Sequence, residues 1–225
     1  MATVKVAEIL NRAKTLLQDT TSVRWPLVEL QLWLNDSYRD IINIRPDANT
    51  QTGTFTCAVG ARQNITTVFS SALRLIDVVR NVAATSDKSA VRMTNRHMLD
   101  DQRRTWYADT PVVSVQHYMF DPRLPKEFLL YPPAAATAEL EVVYSSVPAG
   151  HELTETQLGD VSTADTISVD DSFAGAILDY VLYRAYSKDA EYANNSQRAI
   201  AHFQAFQGAL TGKGQVEAAS QPGAA

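Results

Sequence analysis

Cysteine occurs once in this 225-residue chain, at Cys57, so no disulfide can form within it. Long apolar runs are also missing. No stretch reaches the roughly 18 residues that a membrane-spanning helix needs, and the amino terminus lacks the charged-then-apolar order of a signal peptide. The reading is a protein folded in the cytoplasm, with no membrane partner. An excess of positive charge is absent too: 20 Lys and Arg stand against 25 Asp and Glu, a formal net charge of −5. Such a chain has no delocalised attraction to phosphate backbones, which tells against dedicated nucleic-acid binding. What it does have is 45% hydrophobic residues and enough length to bury a sizeable core. Chains of this size remove roughly 70% of their extended surface from water on folding.

Apolar residues recur at threes and fours near both ends. Val6, Ile9, Leu10, Ala13, Leu16 and Leu17 predict an amphipathic helix over 4–17. A second is predicted from Pro26 to Asn43, with Leu27, Leu30, Leu34, Tyr38, Ile41 and Ile42 on its stripe and Pro46 ending it. Phe173, Ile177, Tyr180, Val181 and Arg184 mark a third, with Ser168, Asp170 and Asp171 as cap candidates. The last is predicted over 189–210, with Ala193, Ala199, Ile200, Phe203, Phe206 and Leu210 on its apolar side.

Between these pairs the period changes to two. Strands are predicted at 54–57, 64–66, 73–82, 112–120, 127–131 and 138–145, with a short helix over 95–103. Pro122, Pro125 and Pro132-Pro133 separate the later strands, which fits an antiparallel meander of hairpins. Residues 150–165 are polar and read as a surface loop. The fold class that follows is α+β. Residues 1–46 and 166–210 form a four-helix core from the two terminal helix pairs, and 47–165 form an inserted antiparallel β-rich domain with its loop. Residues 211–225 form a flexible carboxyl-terminal extension.

Chemistry is sparsely signalled. His97, His117, His151 and His202 fall on four different predicted elements, and no metal-ligand spacing, nucleophile elbow or dinucleotide turn occurs. No cofactor is implied. A small hydrolytic enzyme would have to draw its acid and base from Asp170, Asp171, His117 or His202. A nucleic-acid module would centre on Arg103, Arg104 and Trp106, with guanidinium groups for phosphate and a ring for bases; Asp100, Asp101 and Asp109 nearly cancel its charge. Tyr180, Tyr183, Tyr186 and Tyr192 beside Arg184 and Lys188 suit a protein interface as well as they suit packing within one subunit.

One set of marks recurs in order along most of residues 24–206. It comprises Arg24-Trp25, Glu29-Leu30, Trp33-Leu34-Asn35-Asp36, Arg45-Pro46, Arg80-Asn81, Tyr118, Asp121-Pro122-Arg123, Phe128, Tyr131-Pro132-Pro133, Val143-Tyr144 and Pro148. It closes on 179–186, Lys188-Asp189-Ala190, Ala199, His202 and Phe206. In these marks the chain resembles the head-to-tail adaptor (connector) proteins of short-tailed phages. The resemblance implies a non-enzymatic virion component at the head–tail interface, made in the host cytoplasm. Its copies form a ring, commonly of twelve, between the portal protein and the tail nozzle protein, with tail fibres as a further neighbour, and genomic DNA passes through without specific binding. It further implies Tyr180, Tyr183, Arg184, Tyr186, Lys188, Phe206 and Lys213 as candidates for subunit or portal contacts, residues 211–225 as a portal-facing extension, and the strand-rich insert as the part facing distal tail components.

Overall fold

The computed structural model describes residues 2–192 and 194–220, the last eight of these as helical backbone alone. Two compact units divide the chain: Met1–Asn49 with Pro148–Ala225, and Thr50–Val147.

The first unit is helical. α1 (Val6–Leu16), α2 (Leu27–Ile44), α5 (Ala174–Lys188) and α6 (Asn195–Ser220) share one core, so the terminal helix pairs do pack together. Ile9, Leu10, Leu30, Leu34, Tyr38, Ile41, Ile177, Val181 and Phe206 are almost fully buried there. Backbone groups at the helix ends find side-chain partners far away in sequence. The Glu155 carboxylate accepts from Leu27 N (3.1 Å) and Val28 N (3.2 Å), capping α2 where Pro26 cannot. Asp171 accepts from the backbone N–H groups of Thr3 and Val4, and Ile167 N donates to Val4 O, so the chain start is stitched to the residues that lead into α5.

Several expectations change here. Residues 150–165 are not a bare loop. Thr154 and Gln157 form a reciprocal capping box that starts a short helix, α4 (Glu155–Gly159), and this stretch belongs to the helical unit. Asp170 caps a 3-10 turn at Asp171–Phe173 rather than α5 itself. α6 starts at Asn195, whose Nδ2 donates back to the Asp189 backbone and carboxylate, so the turn at 189–192 comes before the helix rather than inside it. It also runs through Ser220, past the expected stop at Leu210. Ala, Gln and Glu dominate 215–219 and carry strong helix propensity, which outweighs Gly212 and Gly214. The expected flexible segment is therefore helical over 211–220; 221–225, like Ala193, lie outside the described residues. Leu16 and Ile200 face solvent although both were expected in the core. Ile200 lies about 100° around the helix from Ala199, away from the line through Ala199, Phe206 and Leu210.

The second unit is a two-layer sandwich. β1 (Thr50–Thr56), β7 (Glu139–Ser146) and β3 (Ala72–Asn81) form one antiparallel sheet, with β7 in the middle. β2 (Gly60–Asn64), β6 (Glu127–Ala134), β5 (His117–Phe120) and β4 (Arg92–Met93) form the other, antiparallel except for β4 on β5. A short helix, α3 (Arg96–Gln102), follows β4. The insert is β-rich and mainly antiparallel as expected, yet it is not a meander, since β1 and β7 pair across almost the whole insert. Ile65 begins a 3-10 turn instead of centring a strand. β6 runs through Pro132-Pro133, which cannot donate to the ladder, although Pro133 O accepts from Val112 N (2.8 Å). Phe55, Leu75, Leu140 and Val142 from one sheet meet Phe128, Leu130 and Ala134 from the other in a single core. Gly53 makes room for the Phe69 ring, which stacks on Tyr144 at 4.3 Å and would lie 2.8 Å from a Cβ at that position.

Candidate assembly surface of the helical unit

The start of α2 is tied to the end of α5 by a series of polar contacts. Asp19 folds the preceding loop: its carboxylate accepts from the N–H groups of Val23, Arg24 and Trp25 at 2.9–3.1 Å. Desolvation works against its charge, but these three donors prevail and hold the carboxyl below the ordinary range. Trp25 Nε1 donates to Ala185 O (3.2 Å), Arg24 pairs with Asp189 and lies over the Trp25 and Tyr192 rings, and Lys188 Nζ meets Glu29 at 2.6 Å.

This architecture divides the expected interface residues into two groups. Tyr180, Tyr186 and Phe206 are spent within the subunit. Tyr180 is buried against Phe206 (5.1 Å between rings), and burial first, then its hydrogen bond to Asp40, push its hydroxyl pKa well up. Tyr186 stacks on His202, which in turn bonds Asp179 at 2.9 Å. Lys188 is exposed and Tyr183 and Arg184 half-buried along a hollow of about 360 Å³ that reaches Glu29 and Trp33, with the Tyr183 ring also packed on Tyr180 and Phe203. A shallow groove of about 420 Å³ continues from Tyr183 and Ser187 between α5 and α6, over Ala190, Ile200, Phe203 and Gln204. The side chain of Lys213 lies outside the described residues. Ile200, 58% exposed, is the groove residue that sequence reading misplaced; its angular offset on the helix was the signal that would have moved it.

A family model for the SU10 adaptor protein matches residues 4–225. The chain belongs to this family of phage head-to-tail adaptors. No curated protein matches it. As an adaptor it is a structural component of the virion and not an enzyme.

The clusters that might suggest other chemistry are accounted for by the adaptor's own packing. His151 sits buried with Nδ1 2.7 Å from Asp165 and Nε2 3.3 Å from Ser168 Oγ, the contacts of a hydrolytic triad. The Ser168 hydroxyl, however, donates to Ala149 O (2.7 Å), and Tyr38, which accepts from Ser168 N, donates to Nε2 at 2.8 Å. The serine proton and the imidazole lone pair are both committed, so the cluster is a structural link between α2 and 149–168. Burial pushes the Tyr38 hydroxyl up to about 12, in keeping with a donor that stays protonated. The expected acid–base residues have separate tasks: Asp171 holds the chain start, Asp170 caps a turn and His202 serves Asp179 in the helical unit, while His117 belongs to the sandwich unit. Burial likewise pushes the Cys57 thiol up to about 12, which leaves it a small apolar core residue.

The nucleic-acid alternative loses its stacking ring. Trp106 is fully buried, its Nε1 donates to Asp100 (2.8 Å) and its face is covered by Tyr107 at 3.7 Å, while Arg103 pairs with Asp109. Among the described residues no group of His, Cys, Asp and Glu could hold a metal ion, and no helix is long and apolar enough to cross a membrane.

Proposed function

We propose that this adaptor works as a ring, of twelve copies, that joins the portal to the tail nozzle and lines the channel through which DNA leaves. The observation that carries the ring is the surface of α5 and α6. It leaves Ile200 and Lys188 exposed and Tyr183 and Arg184 half-exposed along one continuous face. A repeated heterologous contact through such a face closes into a ring when its rotation matches the subunit number.

Charge supports the channel. The helical unit holds ten Lys and Arg against sixteen Asp and Glu, a formal −6, whereas the sandwich holds ten against nine, +1. A wall of the first kind lets DNA slide, where a basic wall would retain it through counterion release. The end of α6, with the residues after it, is the segment offered to the portal, and the sandwich faces the nozzle and fibres.

Electron microscopy of the purified chain with and without portal rings tests this. Rings should form, and Ile200→Glu or Arg184→Glu should abolish them while the thermal midpoint stays within a few degrees. A truncation after Leu210 should fold yet lose portal attachment. A chain that stays single with portal and nozzle present would overturn the proposal.

A further inference from the structure

A sheet edge presents unpaired backbone to any passing strand, and three of the four edges of the sandwich are guarded against this. β3 shifts register on β7 at three places, and on its outer side Asn81 N donates to Ser89 O (2.9 Å) and Val79 O accepts from Val91 N (3.0 Å). β4 is two residues long and carries Arg92. β2 shifts register between Gly60 and Arg62 and carries that arginine's charge. β1 has none of these devices. It keeps unbroken register on β7 from Thr50 to Thr56, and its sequence, Thr-Gln-Thr-Gly-Thr-Phe-Thr, holds neither charge nor proline.

Two hydrogen bonds fix which way the β1 backbone points. Cys57 N donates to Ala138 O (2.9 Å), so in this register the odd-numbered residues of β1 spend their N–H and C=O groups on β7. Val82 N donates to Glu139 O (2.8 Å), which turns the odd-numbered residues of β7 toward β3 and its even-numbered ones toward β1, in agreement. Thr52, Thr54 and Thr56 therefore aim their backbone groups away from the sheet, and all three are exposed. No backbone group among the described residues pairs with these outward ones.

We propose that β1 is a self-pairing edge, through which two copies of this chain join in an antiparallel β1–β1 ladder centred on Gly53, making one continuous sheet of six strands. The strand is its own complement. Laid antiparallel about Gly53, two copies set Thr52 opposite Thr54 of the second copy and Thr54 opposite Thr52 of the second copy, at the positions where both strands still have donors and acceptors to give. Threonine pairs of this kind favour an antiparallel ladder, and an uncharged strand does not repel its own copy. Gly53 meets Gly53 at the axis, and the half-buried Phe69 ring of each copy already lies over its own Gly53 on the core side. Because the other three edges are guarded, a second copy can meet β1 only with the same strand. Such a contact is two-fold and complete at two copies, so it is separate from the repeated contact that closes a ring and does not rest on the ring reading. It covers an edge that would otherwise template irregular association of the free chain.

Sedimentation velocity of the full chain from about 1 μM to about 500 μM tests this. A species of two copies should grow with concentration, and the amides of Thr52 and Thr54 should gain hydrogen-exchange protection in step with it. Thr52→Lys combined with Thr54→Lys sets like charges opposite each other twice and should weaken the pair at least about tenfold. Thr52→Lys combined with Thr54→Glu sets opposite charges at the same two places and should restore it, as a second antiparallel copy in this register requires. Both double variants leave the ladder to β7 intact, so their thermal midpoints should stay within a few degrees of the parent. A chain that remains single over the whole range, a pair indifferent to the two lysines, or a lysine–glutamate variant as weak as the double lysine would each sink the proposal. Ile200→Glu, the variant expected to lose rings, should keep the pair, so failure of the ring and failure of the pair give different results.

Discussion

In the sandwich, polar backbone is satisfied by ladders and by side chains that imitate them. Asn81, fully buried, exchanges two hydrogen bonds with Val115, both at 2.8 Å, and Tyr118 spans the layers to Asp77 at 2.7 Å. In the helical unit the same task falls to carboxylates reaching across the chain: Glu155 to α2, Asp171 to Thr3 and Val4, Asp19 to its loop. Strands carry their partners with them, whereas helices leave donors open at their ends. Of these carboxylates, Glu155 meets a helix start, where the open N–H groups favour an acidic partner.

The most severe way to break this comparison is a cavity. Phe55→Ala in the sandwich and Phe206→Ala in the helical unit should each cost about 3–5 kcal/mol. By hydrogen exchange, each should release the amides of its own unit while the other stays protected. Simultaneous release would mean that one cooperative unit spans both. Acid should separate the units next. Asp19 is held below the ordinary 3.8 by backbone donors that overcome desolvation, Asp160 and Asp171 chiefly by side-chain and backbone bonds from Ser162, Thr3 and Val4; in the sandwich Asp87 is so held, by Ser89. Because the ionised form is the bonded one, this stabilisation is complete above 3.8 and is lost as pH falls through the lowered folded values. Exchange protection should decline as pH falls below about 4, more steeply in the helical unit. A smaller effect sharpens the capping argument: Glu155→Ala should lower stability by about 1 kcal/mol, in proportion to a lost cap. Smallest of all, Lys188→Ala, which removes an exposed ion pair, should change stability by less than about 1 kcal/mol. Chemical denaturation of the two variants side by side checks both.

The helical stripes were legible because burial repeats along each of those helices: every predicted stripe residue of α2 is buried, and all of α1's but Leu16. The strands were legible as alternation, but their order was not. β1 and β7 lie at opposite ends of the insert, and nothing local in either names its partner. α4 could have been read from Thr154 and Gln157 at capping-box spacing, although five residues give too short a period to detect. At the assembly surface, Tyr180 and Tyr186 looked no different from Tyr183 in sequence. Which ring turns inward depends on Asp40 and His202, which arrive from other helices. Many of the marks that suggested an adaptor have turned out to be such internal fasteners, including Arg24, Trp25, Glu29 and Asn81.

Thr50 stands opposite Ser145, so the chain leaves the helical scaffold and returns to it on neighbouring strands. A bridge of a few residues would close that gap of about 5 Å. The sandwich is thus graftable: its chain enters and leaves through a single pair of splice points, so a module of different size can be joined there without cutting any helix.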